Sequence, residues 1–212
     1  MLTERYETFR KKIAGTIAEK NIITDPLRTI TFGTDASFYR LIPQIVINVE
    51  NEKEVQLILR EAHKLKLPVT FRAAGTSLSG QAVTDSILVR LGRGWSRYRV
   101  FDKAMKIQLE PGIIGSHANA ILAEFDRKIG PDPASIDSAK IGGILANNAS
   151  GMCCGIEQNS YQTLDSMRVV LADGTAVDTA EDTSRAEFAR THGAILDKLA
   201  KLRQRVLGDE QL

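Results

Sequence analysis

The stretch with the clearest chemical potential is FRAAGTSLSGQ, residues 71–81, which has small side chains almost throughout. Glycines free the backbone, alanines leave it accessible, and serine and threonine add hydroxyl donors. Successive N–H groups can then turn toward one anion, phosphate above all. The span is long enough for a diphosphate, whereas a plain turn, the competing interpretation, needs only about two to four such residues. Gly75 and Gly80 fit neither the Walker pattern nor the G-x-G-x-x-G fingerprint.

A second segment of the same kind is GPDPASIDSAKIGGILANNASGMCCG, residues 130–155. Asn147 and Asn148 can each donate and accept, which suits the edge of a heteroaromatic ring or a ribose. In the alternative interpretation, Gly142 and Gly143 only allow a helix to lie close to a strand. We expect the two segments to close on opposite sides of one extended ligand and to bind it with backbone amides.

Four ordered blocks carry a family resemblance: PVTFRAAGTSLSG, EPG, PDPAS with IGGILANNASGM, and LDSMRVVLADGT. Together they resemble the PCMH-type FAD-binding domain of the vanillyl-alcohol oxidase superfamily over about residues 34–179. Within it, the sequence is most similar to the branch that contains D-lactate dehydrogenase and the flavoprotein chain of glycolate oxidase. Cys153 and Cys154, with the following Asn-Ser-Tyr, are similar to members that continue into a C-terminal iron–sulfur region.

The resemblance implies a site for FAD and no metal site. The first segment would wrap the diphosphate, with Arg72, Ala73, Ala74, Gly75, Thr76, Ser77, Ser79 and Gly80. The second would lie beside the diphosphate and the isoalloxazine, with Pro133, Ser135, Gly142, Gly143, Asn147 and Gly151. Val169 would lie near the adenosine through its backbone. Some relatives attach flavin through a His or Cys in the first segment, where this chain has Ala74 and Thr76, so FAD is expected to be held non-covalently.

The implied reaction is oxidation of a small D-2-hydroxy acid, of the lactate or glycolate type, by hydride transfer to flavin. Electrons would then pass to an acceptor on a further domain or subunit, such as an iron–sulfur protein. Family members take their base and carboxylate-binding arginine from a cap domain, which we expect this chain to lack as a truncated form. No catalytic residue is therefore assigned, and three histidines are expected on helices: His63, His117 and His192. Asp25, Asp35, Asp102 and Asp173 lie in predicted turns, where caps are the expected role.

Two alternatives stay open at the level of sequence. One is another flavoprotein of the superfamily, such as an enolpyruvyl-sugar reductase that uses NADPH. The other is a non-catalytic nucleotide-binding or phosphate-binding module.

The pattern of elements predicts an α+β fold with two lobes: a small βαβ lobe at about 34–92 and a larger mixed-sheet lobe at about 93–180. A helical lead-in covers 1–33 and a helical tail 181–212. Helices are expected at 2–20, 51–65, 115–128 and 184–206, with Asn51 and Glu54 as a capping box. Strands are expected at 44–49, 68–71, 86–91, 98–101, 106–110, 163–171 and 176–178.

Composition limits the partners and the compartment. The 212 residues have a net charge of +2, too weak to indicate a nucleic-acid or membrane surface. The only two cysteines are neighbours, so we interpret them as reduced thiols. With no signal peptide and no apolar run of transmembrane length, the expected location is the cytoplasm, and peripheral attachment to the inner face of the membrane stays open.

Overall fold

The structure is a computed structural model that describes residues 2–209. The chain forms two compact units. The first contains the residues up to Leu164 together with Ala172–Gly174, and the second contains Asp165–Leu171 and the residues from Thr175 onward.

The first unit opens with short helices. Helix α1 (Glu4–Ile13) buries Phe9 and Ile13, and it ends well before the predicted residue 20 because Gly15 turns the chain at a φ of +84°. Strand β1 (Ile22–Ile23) was not predicted. Helix α2 (Pro26–Thr29) begins at the predicted cap, where the Asp25 carboxylate accepts a hydrogen bond of 2.9 Å from the Arg28 N–H.

A four-stranded sheet forms the centre of the first unit. Strands β2 (Ile45–Val49), β4 (Ile87–Leu91) and β3 (Val69–Arg72) are parallel, and β1 pairs antiparallel with β2 at one edge. The apolar, β-branched residues of β2 and β4 are largely buried, as expected for inner parallel strands. Helix α3 (Glu52–Leu65) connects β2 to β3 and starts at the predicted cap, where the Asn51 side chain accepts from the Glu54 N–H.

The remaining elements of the first unit are short. Strands β5 (Tyr98–Phe101) and β6 (Lys106–Leu109) form the predicted antiparallel hairpin. Helix α4 (Gly115–Ala123) ends before the predicted residue 128, because Asp126 adopts a φ of +55° just beyond it. Helix α5 (Ile141–Ala146) lies within the segment that was predicted to be a loop. Single turns of 3-10 helix occupy Glu19–Asn21, Ile30–Phe32 and Asp102–Ala104.

The second unit contains a hairpin and a long helix. Strand β7 (Arg168–Val170), shorter than predicted, pairs antiparallel with β8 (Ala176–Asp178). Helix α6 (Asp182–Leu207) follows, and none of its residues is buried. Its φ and ψ leave the helical region at His192.

The predicted α+β class is confirmed. The expected larger mixed sheet in residues 93–180 is wrong, because the strands there form two separate two-stranded antiparallel sheets. Neither pair has a further strand partner among the described residues. None of the helices within residues 2–209 has both the length and the apolar character needed to cross a membrane.

Candidate functional site

The first small-residue segment leaves β3 and follows an irregular path to Ala82. Gly75 and Gly80 adopt φ values of +75° and +76°, the left-handed region that costs other residues about 1–2 kcal/mol. The N–H groups of residues 74–78 have no hydrogen-bond acceptor within residues 2–209. The segment therefore presents five successive backbone donors with small or flexible side chains around them.

Arg72, predicted as a cofactor residue, holds the ends of this segment in place. Its side chain is only 8% exposed. The Nε group donates to the carbonyl oxygen of Ala82 over 2.8 Å, and Nη2 donates to that of Phe32 over 2.9 Å. Burial lowers the pKa of Arg72, with the charge of Asp35 acting in the opposite direction. The guanidinium is thus committed to holding Ala82 and Phe32 of the protein.

Asp35 is a second support that the sequence did not reveal. Its carboxylate accepts hydrogen bonds from the N–H of Ser37 at 2.8 Å and of Ala82 at 3.3 Å. The neighbouring Ala36 donates its N–H to the carbonyl of Gly75 at 3.1 Å. Burial would raise the pKa of Asp35, but the bonds from Ser37 and Ala82 and the charge of Arg72 lower it overall. A turn cap was expected here, and no local signal pairs residue 35 with residue 82.

The hydroxyl groups of the first segment contribute unequally. Ser77 is hydrogen-bonded to the side chain of Gln81 and accepts from the Ser79 N–H at 3.2 Å. Its oxygen therefore stabilises the turn itself. Ala74 and Ser79 are exposed, whereas Ala73 and Thr76 are half-buried.

In the second segment, close packing explains why at least one residue is small. A Cβ added at Gly142 would lie 2.8 Å from the Cβ of Pro111, which is too close, whereas one at Gly143 would meet only the Cβ of Ala73, at 3.7 Å. Gly142 is thus required by packing against Pro111. Gly143 is the point where the two segments meet.

The backbone amides of the two glycines in α5 are already bonded, contrary to our expectation for the second segment. The N–H of Gly142 donates to Pro111 at 3.0 Å, and that of Gly143 donates to Lys140 at 2.9 Å. Because these residues form part of α5 and its connection, they offer a ligand an accessible helix surface and no free donors. The expectation that both segments bind with their amides is corrected in this respect.

Asp132 organises the end of the second segment. Its carboxylate accepts from the N–H groups of Cys154 and Cys153, each at 3.1 Å. Hydrogen bonding to the Cys154 side chain, and then to these backbone groups and the Cys153 side chain, lowers the pKa of Asp132. A Cβ at Gly151 would overlap the backbone and side-chain oxygens of Asp132. The absence of a side chain at Gly151 is therefore explained by packing. Cys154 is buried and Cys153 is exposed.

The other predicted residues lie at different places. The carbonyls of Pro133 and Ser135 accept from Ile136 and Ser138 at 2.8 Å each and so form a turn. Asn147 follows α5 and is exposed. Val169 is half-buried in β7 of the second unit, opposite Val177. Its role near an adenosine stays a prediction.

Five adjacent amides without an acceptor within residues 2–209 are the kind of donor set that can bind an anionic group against the backbone, as phosphate-containing cofactors require. Residues 43–180 match the model of a family described as FAD binding domain. The chain belongs to this family. The N–H groups of residues 74–78, which have no acceptor within residues 2–209, fit the anionic diphosphate of FAD.

Two relatives and one solved structure show which proteins the chain is similar to. It is 26% identical over 182 residues to a D-2-hydroxyglutarate dehydrogenase of Pantoea ananatis, covering 84% of this chain and 18% of that protein. It is 29% identical over 148 residues to the glycolate oxidase subunit GlcD of Escherichia coli K12, covering 69% and 30%. A structure of p-cresol methylhydroxylase with substrate bound has a TM-score of 0.70 at 15% identity, over 84% of this chain and 36% of that one. The PCMH-type fold is thereby confirmed, and the chain spans less than a third of the length of either relative.

Proposed function

We propose that this chain is the FAD-binding part of an oxidoreductase that oxidises a D-2-hydroxy acid of the lactate or glycolate type. The observation that carries the proposal is the row of five unbonded amides at residues 74–78, held open by Arg72 and Asp35. Such donors stabilise a diphosphate through charge-assisted hydrogen bonds. The two relatives support the substrate class, since each is named for a substrate with a hydroxyl next to a carboxylate.

The protein's own residues would bind and orient the cofactor. The first segment supplies donors to the diphosphate, and the surface of α5 at Gly143 gives the cofactor a second side to lie against. Residues 72–81 contain neither His nor Cys, which supports non-covalent attachment. FAD, when bound, supplies the hydride acceptor for oxidation of the alcohol.

The remainder of the reaction requires groups that we do not assign to this chain. His63 and His117 are exposed on α3 and α4, and we assign neither a role in the reaction. We place the base, the substrate carboxylate site and the electron acceptor, such as an iron–sulfur centre, on polypeptide outside this FAD-binding part. The large share of each relative that the chain does not cover supports this assignment.

The test is binding of FAD to the purified protein. We expect flavin absorption bands that stay with the protein through gel filtration and are released on acid precipitation. Gly75→Val should abolish this binding while far-UV circular dichroism stays unchanged, because a β-branched residue is strained at a φ of +75°. A colourless protein that ignores FAD but binds another nucleotide would favour the non-catalytic module.

A further inference from the structure

A cavity of about 480 Å³ lies at the carboxyl ends of β2 and β4, and no residue of the first small-residue segment is among those that line it. This volume is within the range of about 300–1,000 Å³ that is usual for small-molecule sites. In open sheets with parallel strands, ligands bind preferentially outside the carboxyl ends of the strands. The sheet therefore offers a second place where a ligand is expected.

Two cations line this cavity. Arg90 of β4 and Lys140, just before α5, both face it. Neither forms an ion pair within the described residues 2–209. Burial lowers the pKa of Arg90, while burial and then the charge of Arg90 lower that of Lys140. The two positive charges thus lie close enough to repel each other, and both side chains are half-buried.

Contacts within the protein fix the position of Arg90 but leave its positive charge unneutralised. Arg90 is paired in register with Asn48 of β2, whose Oδ1 accepts from its Nη1 at 3.2 Å. The guanidinium also lies 4.7 Å from the centre of the Phe32 ring. Both contacts orient the side chain, and neither supplies a negative charge.

Among the described residues that line the cavity, Glu50 is the one carboxylate, and it is held by a neighbouring loop. It accepts a hydrogen bond of 2.8 Å from the N–H of Gly94. A Cβ at Gly92 or Gly94 would overlap Glu50, so the loop is folded closely around this side chain. With Arg93 as a third cation, the cavity wall keeps an excess of positive charge.

We propose that this cavity binds an oxyanion, a carboxylate or phosphate group, between Arg90 and Lys140, apart from the unbonded amides of residues 74–78, none of which lines it. An oxyanion there neutralises two charges that the protein itself leaves unpaired, through charge-assisted hydrogen bonds. Its ligand is either free phosphate or a small carboxylate such as a hydroxy acid. The proposal does not depend on the chain binding FAD.

The experiment is calorimetric titration of the purified full chain with inorganic phosphate and, separately, with glycolate. Lys140→Met should weaken binding of whichever anion binds by about tenfold or more, the effect of losing one charge-assisted bond. Arg90→Met should do the same. Lys11→Met is the matched control, since Lys11 is an exposed lysine on α1, and it should change nothing. Thermal melting identifies any variant that has lost its fold. If Lys140→Met is unfolded, Lys140→Gln is used in its place.

A second titration separates this site from that of FAD. Phosphate at saturation should leave the dissociation constant of FAD within about twofold, less than one hydrogen bond is worth. The proposal is overturned if neither anion binds, if Lys140→Met and Arg90→Met leave anion binding unchanged, or if phosphate and FAD compete. Competition would mean that the two cations serve the diphosphate of FAD.

Discussion

The two small-residue segments look alike in the sequence but act differently in the structure. The first, residues 72–81, has two glycines at positive φ and a row of free amides. In the second, the amides of Gly142 and Gly143 are bonded within the protein, and Gly142 and Gly151 are small because Pro111 and Asp132 lie against them. A shared composition therefore arises from two causes, exposure of donors in one case and close packing in the other.

The largest effect on stability is expected at Arg72, which supports the first segment. Arg72→Met should lower the free energy of unfolding by about 3 kcal/mol, because hydrogen bonds from a charged group are worth about 1.5–3 kcal/mol each and two carbonyls lose their donor. Urea denaturation followed by circular dichroism measures the change. Arg72→Lys keeps the charge and should recover part of the loss. A loss below about 1 kcal/mol for Arg72→Met would show that the segment is held by other contacts.

Adjacent glycines of α5 give the sharpest matched pair. Gly142→Ala should destabilise the protein by about 1–3 kcal/mol, the usual cost of overpacking. Gly143→Ala should be neutral or stabilise by up to about 1 kcal/mol, since alanine favours a helix interior over glycine, yet it should weaken FAD binding. Denaturation and flavin titration of both variants check this prediction. Equal destabilisation by the two substitutions would contradict the distinction between packing and access.

A smaller, pH-dependent effect is expected at Asp35. Its pKa in the folded protein lies below the ordinary value of 3.8, so folding favours the ionised carboxylate. This stabilisation is complete above the unfolded pKa and is lost as the pH falls through the folded one. Asp35→Asn should therefore be less stable than the parent at pH 7, and thermal melting should show the difference narrowing below about pH 4. If the difference in melting temperature between Asp35→Asn and the parent were constant across pH, the charge of Asp35 would not contribute to stability.

The smallest effect is expected in the second segment at Asn147. Asn147→Ala should weaken FAD binding by about 0.5–1.5 kcal/mol, the net value of one hydrogen bond. Fluorescence titration of flavin measures the dissociation constant, and Gln158→Ala, which replaces an exposed amide farther along the chain, is the control. Equal losses in the two variants would remove Asn147 from the site.

Local signals in the sequence predicted most of the first unit. The helical spacing of apolar residues and the capping box at Asn51 predicted α3 almost to the residue. The apolar runs predicted β2, β3 and β4. Helix α5 was missed because IGGILA has two glycines, which disfavour helices; its surroundings, including the bond from Gly142 to Pro111, hold it in place.

Contacts between distant residues limited the prediction of the site. The first segment was identified from composition alone, because positive φ and free donors both require small residues. The roles of Asp35 and Arg72 depend on Ala82 and Phe32, which are far along the chain. The proximity of Arg90 to Lys140 likewise exists only once β4 and α5 have been placed in the fold.

The most direct test of the central claim is amide hydrogen exchange with and without FAD. If the free donors of the first segment bind the diphosphate, FAD and ADP should both slow exchange at residues 74–78, whereas riboflavin, which has no phosphate, should not. The bonded amides of Gly142 and Gly143 should change little. Unchanged exchange at residues 74–78 in protein saturated with FAD would contradict the account.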